Sequence, residues 1–101
     1  MAQTHIIAID PQPGQSSAKF NPPSLTVAAG DIIYWRNNCD SPHWPAPSVA
    51  GKTNWMDYQI PAKLPGQPAP TSQQAVSFSA AATVTYLCAL HPSETGTIIV
   101  Q

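Results

Sequence analysis

Six of the chain's twelve prolines fall between residues 44 and 74, in WPAPSVAGKTNWMDYQIPAKLPGQPAPTSQQ. A proline lacks the amide proton that a helix interior or a central strand requires, so this stretch can supply neither. Regular structure must come from its flanks, where the segments are short and either β-branched or alternating. They are THIIAID (4–10) before a PQPG turn, SLTVAAG (24–30), DIIYWRN (31–37), AVSFSA (75–80), TVTYLC (83–88) and TGTIIV (95–100). Such strands, separated by turn signals, predict an all-β fold: a Greek-key sandwich or small barrel of about seven to eight strands. Residues 44–74 are expected to wrap it as a long Pro-rich loop, pinned by Trp55, Met56, Tyr58 and Ile60. A length of 101 residues suffices for one hydrophobic core but not two, so a single domain over 1–101 is expected.

Charge narrows the partners. Only 9% of residues are charged and the net charge is -1. That composition lacks the basic face nucleic acid requires and the polybasic handle for anionic membranes. No apolar run approaches the length of a transmembrane helix, so membrane insertion is not expected.

Chemistry concentrates near the end of the chain, in YLCALHPSETG (86–96), where Cys88, His91 and Glu94 follow one another at intervals of three. A thiolate and an imidazole at a strand end can reach one metal ion from a tight loop. His43, in NNCDSPHW, stands just past another predicted strand end. One cysteine and two histidines form a trigonal set suited to copper cycling between Cu(I) and Cu(II), completed by a weaker axial ligand. Cys39 leaves three readings open. It is a small buried thiol, a fourth ligand in a Cys2His2 zinc site with His43, Cys88 and His91, or the partner of Cys88 in a disulfide. His5, early in the first strand, is expected to be an exposed edge residue.

Three motifs carry a resemblance to a known family. FNPPSLTVAAGDIIYWRNN, NNCDSPH and YLCALHPSETGTIIV, in that order and at predicted strand ends, resemble the cupredoxins, the small copper proteins that include plastocyanin, pseudoazurin and amicyanin. The resemblance covers most of the chain outside 44–74. It implies one copper ion held by His43, Cys88 and His91, with Asn38 as the outer residue tying the ligand loops together. It implies one-electron transfer rather than catalysis, with His91 as the electron exit. A redox protein would dock transiently on the apolar surface formed by Ala89, Leu90 and Pro92 around it. Export, to a periplasm for instance, is implied as well, although residues 2–9 lack the basic region and long apolar core of a signal peptide.

The chain departs from the family pattern at Glu94, where related loops carry an axial methionine. A carboxylate is harder and anionic, so coordination by Glu94 predicts a low-potential site, green or red rather than intensely blue. A copper ion with an open position, binding a small molecule such as nitric oxide as catalyst or sensor, is the alternative function.

Overall fold

The computed structural model describes residues 2–14, 17–48 and 55–101, which form two four-stranded sheets packed as a sandwich. Strands β1 (Thr4–Pro11), β2 (Ala18–Asn21), β4 (Ile32–Asn37) and β6 (Val76–Ser77) make the first sheet, in the order β2-β1-β4-β6. The second contains β3 (Ser24–Val27), β5 (Pro45–Pro47), β7 (Ala82–Cys88) and β8 (His91–Val100), in the order β3-β8-β7-β5. Parallel pairs, β1 with β4 and β3 with β8, sit among antiparallel ones. Parallel neighbours cannot be joined by a hairpin, so the chain passes between the sheets, as expected for a Greek key.

The inner faces follow the two-residue period of a strand. Ile7 and Ile9 on β1, Ile33 and Trp35 on β4, Tyr86 and Cys88 on β7, and Ile98 and Val100 on β8 are all buried. At one pole the same periodicity delivers polar residues to the interior: Asn37 continues the inward set of β4, and Glu94 that of β8. Apolar alternation thus changes to ligand chemistry without a change of face.

Two strands went unanticipated. β2 has only four residues, too few for periodicity to register. β5 lies in the Pro-rich stretch and is tolerated because it is an edge strand, where a missing amide proton costs no central ladder bond. Its non-proline neighbours make the connections: Trp44 O accepts from Ala89 N at 2.8 Å, and Ser48 N donates to Thr85 O at 3.2 Å. Beyond it, residues 49–54 of the expected wrapping segment lie outside the described residues. Met56 and Ile60 are buried, and Trp55 stacks on Trp35 with ring centroids 5.6 Å apart. Asn37 N donates to Pro70 O and Ser72 N to Trp35 O, so the segment runs alongside β4. Tyr58 is not one of the pins; it is 69% exposed.

The turn into β4 shows a local requirement clearly. Asp31 N donates to Ala28 O at 3.1 Å, and Gly30 has φ +90°, as the third position of a type II turn demands. The Asp31 carboxylate accepts from Gln3 N at 3.0 Å, from His5 Nε2 at 2.9 Å and from Ala28 N at 3.1 Å. His5 is therefore a half-buried partner of Asp31 rather than an exposed edge residue. These donors, the Gln3 amide foremost, lower the Asp31 pKa from 3.8 to about 2. A depressed carboxylate pKa contributes stability that is fully present above the unfolded value and is lost as pH falls through the folded one. The urea midpoint is accordingly expected to fall between about pH 4 and pH 2, and Asp31→Asn to flatten that slope. An identical slope in the variant would remove Asp31 as its cause.

Candidate metal centre

Four donor side chains meet at the pole where β4, β7 and β8 come together. Cys88 ends β7 and is fully buried; His91 opens β8 and keeps its ring edge in solvent; Glu94 lies three residues further, on the inward face. His43, on the loop after β4, is held in place by reciprocal backbone bonds: its N donates to Ile60 O at 3.1 Å and Ile60 N donates to its O at 2.7 Å. The Pro-rich segment therefore has a definite task, anchoring a donor residue that no strand carries.

The donor atoms of His43, Cys88, His91 and Glu94 all lie within 4.8 Å of one another. Cys88 Sγ is 3.6 Å from His43 Nδ1 and 3.7 Å from His91 Nδ1. Glu94 Oε1 is 3.1 Å from His43 Nδ1 and 3.4 Å from His91 Nδ1. A sulfur about 2.3 Å and a nitrogen about 2.0 Å from one ion, at a trigonal or tetrahedral angle, stand roughly 3.5–3.7 Å apart. The observed separations fit one shared ion. Hydrogen bonding accounts for only part of the cluster: Cys88 Sγ lies within hydrogen-bond reach of both Nδ1 atoms, but Glu94 Oε1 is buried without a hydrogen-bond partner among the described residues despite its short distances to both rings. A buried carboxylate oxygen close to both imidazoles and hydrogen-bonded to neither is left free to act as a ligand.

The surroundings fix each donor. Glu94 Oε2 accepts from Ala18 N at 2.6 Å, which ties β8 to β2 and turns Oε1 toward the imidazoles. Cys88 Sγ accepts from Trp44 N at 3.3 Å. Burial raises the Cys88 pKa, opposed by the amides of Trp44, Leu90 and His91, which favour the thiolate. For His43 burial lowers the pKa, with the Glu94 charge acting in the opposite sense. A neutral imidazole, the form that ligates metals, is the consequence.

One residue departs from expectation. The side chain of Asn38 donates to Asp10 Oδ1 at 2.8 Å, away from the donor set. It is Asn37 that braces the His43 loop: fully buried, it donates to Ser41 O at 2.9 Å and Pro61 O at 3.0 Å, and accepts from Cys39 N at 2.9 Å. Strand parity contained this signal, since position 37 shares the inward face with 33 and 35. Cys39 is a free, buried thiol whose Sγ donates to Ile9 O at 3.4 Å. It stands outside the donor set and is not bonded to Cys88, so the small-thiol reading holds and neither the Cys2His2 zinc site nor the disulfide does. Burial, with the charges of Glu94, Asp10 and Asp40, pushes its pKa up to about 11. The backbone donors from Ala18 and Trp44 had no sequence signal, because a main-chain amide carries no residue identity.

The sequence matches no protein-family model and no curated protein. Its fold does match solved structures. Amicyanin from Paracoccus versutus superimposes with a TM-score of 0.71 at 23% identity, over 97% of this chain and 81% of that one. A purple cupredoxin from Nitrosopumilus maritimus gives 0.68 at 18% identity over the whole of both chains. A fern plastocyanin mutant gives 0.68 at 21% identity, over 95% of this chain and 99% of that one.

Proposed function

We propose that this chain, which has the cupredoxin fold, is a mononuclear copper protein that carries single electrons, with His43, Cys88, His91 and Glu94 as its ligands. The observation that carries the reading is the convergence of one sulfur, two imidazole nitrogens and one carboxylate oxygen on a common point. When bound there, copper would supply reversible one-electron chemistry between its cupric and cuprous states.

The chain's own residues determine how that chemistry is used. Cys88 provides the soft thiolate and the two histidines the borderline nitrogens, a combination that selects copper over harder cations. Glu94 adds a hard anionic oxygen, which favours the cupric state and makes a low potential and a green or red colour the expected properties. Backbone bonds from Ala18, Trp44 and Ile60 restrain three of the four ligand residues. His91 is the ligand that reaches solvent. Leu90 beside it is 41% exposed, and Ala89 and Pro92 are exposed as well. A small apolar collar of this kind suits a weak, short-lived redox encounter. Among the described residues no helix is long and apolar enough to cross a membrane. An exported setting, such as a periplasm, belongs to the same reading.

Metal analysis with optical and paramagnetic resonance spectra of the copper-loaded protein tests this, alongside Glu94→Gln. The expected result is one copper per chain, and a variant whose charge-transfer bands move and whose potential rises. A tenfold loss of preference for the cupric state corresponds to about 59 mV, and a rise of at least that size is expected. A blue spectrum unchanged in the variant would exclude Glu94 as a ligand. Rapid uptake of nitric oxide or anions, with slow electron cycling, would replace the carrier with a small-molecule site.

A further inference from the structure

We infer that the main-chain amide of Ala18 is a positioning group for the metal centre: it reserves Oε2 of Glu94 and leaves Oε1 as the one carboxylate oxygen offered to the other donors. The edge strand β2 thereby braces a side chain that belongs to the opposite sheet. This role for Ala18 rests on the copper reading above, to which it adds the number of oxygens Glu94 can give.

The need for a brace comes from the ladder between β7 and β8. Thr95 pairs with Leu87 and His91 with Cys88, with a register shift between the two pairs. Pro92, Ser93 and Glu94 fall inside that shift and have no paired residue on β7. Cross-strand pairing therefore fixes the ends of this bulged stretch but not the direction of the Glu94 side chain. Glu94 is nevertheless only 4% exposed.

The other sheet supplies the missing restraint. Ala18 opens β2 opposite Pro11, and β2 lies at the edge of its sheet beside β1. Its N–H crosses to Glu94 Oε2 at 2.6 Å, the one hydrogen bond of this carboxylate among the described residues. A backbone amide bonded to an ionised oxygen makes a short contact, roughly twice as strong as a neutral pair.

The two oxygens consequently differ. Oε1 lies 3.1 Å and 3.4 Å from the Nδ1 atoms of His43 and His91 and is unpaired. Oε2 is turned toward β2. A carboxylate can grip an ion through one oxygen or through both. With one committed to the protein, the set stays at the four donor atoms of His43, Cys88, His91 and Glu94. That number suits copper, whereas calcium takes about six to eight oxygens. The amide also draws charge from the carboxylate, so Glu94 donates less strongly than a free one would.

The test begins with isotope-labelled, metal-free protein. A scalar coupling across the hydrogen bond, between the Ala18 amide nitrogen and the Glu94 carboxyl carbon, is expected there and in the diamagnetic Cu(I)-loaded form. Exchanging the Ala18 amide for an ester removes the proton, keeps the side chain and should release Oε2. The copper-loaded ester variant is expected to favour the cupric state about tenfold more, the lower end for a change of outer partner, with altered paramagnetic resonance parameters. That direction is opposite to the one expected for Glu94→Gln. Absence of the coupling, while those of the β7–β8 ladder are detected, would overturn the inference even if the variant failed to fold. An ester variant with unchanged spectrum and potential, or with a raised potential, would overturn it too. The coupling in a protein that takes up no copper would sustain the brace while sinking the copper reading; copper uptake without the coupling would sink the brace alone.

Discussion

Cys88→Ser is expected to erase the visible charge-transfer absorption of the copper-loaded protein and to weaken copper binding by more than the roughly 10–100-fold that loss of an outer partner costs. The reason is specific to the atom. A serine hydroxyl stays protonated at neutral pH and is neither soft nor anionic, so the donor set loses the member that distinguishes copper from harder ions. The metal-free fold should survive, because the hydroxyl occupies the same buried position and can accept the Trp44 amide bond that Sγ now accepts at 3.3 Å. Cys39→Ser is the companion measurement. That thiol points to Ile9 O outside the donor set, so the spectrum is expected to stay as it is. Equal spectral loss from both substitutions would mean that Cys39 participates, contrary to the geometry.

Gly96→Ala is expected to be the most destabilising single methyl group in the molecule. Gly96 pairs across the strands with Tyr86, whose ring lies over it. A Cβ at position 96 would sit 2.8 Å from Tyr86 Cε1 and closer still to Cζ and the hydroxyl oxygen. The ring has nowhere to go: Phe20 meets it edge-on at 4.7 Å, Trp35 at 5.4 Å, and Trp55 at 5.9 Å between centroids. Overpacking a rigid site costs about 1–3 kcal/mol and sometimes more, and the aromatic block places this case at the upper end. At roughly 4–8 °C per kcal/mol for a domain this small, Tm should fall on the order of 10–20 °C. Adding Tyr86→Phe, which removes the clashing hydroxyl, should recover part of that loss. Such non-additivity is the mark of direct contact. A Tm within a few degrees of the parent would show that the ring does not cover the glycine.

Several features were legible because a strand reports its own burial. Strand composition located β1, β3, β4, β6, β7 and the end of β8, and the two-residue period explains why Trp35, Tyr86, Cys88 and Ile98 face inward. The same rule, carried one step past the apolar residues, places Asn37 and Glu94 inside. A carboxylate on the parity of Ile98 and Val100 must find a partner or be a ligand, so its burial was readable even though its alignment with a family loop suggested only its role. Tyr58 and His5 were misjudged because each lies where neighbouring residue types do not determine the face. Tyr58 belongs to a loop without a period, and the surroundings of His5 are set by Asp31, twenty-six residues away.

Residue types and spacing along the chain determined which donors were available: one thiol and one imidazole at the junction of two strands, a second imidazole beyond a third, and a carboxylate on the buried side. Their meeting was decided by the fold. Parallel pairing of β1 with β4, the anchoring of His43 by Ile60, and an amide from Ala18 that orients Glu94 across seventy-six residues all join distant segments. Local sequence encodes the period of a strand because neighbouring side chains share its backbone. It cannot encode where a side chain points once the strand has ended, because that direction is set by groups the chain brings together only when the two sheets close.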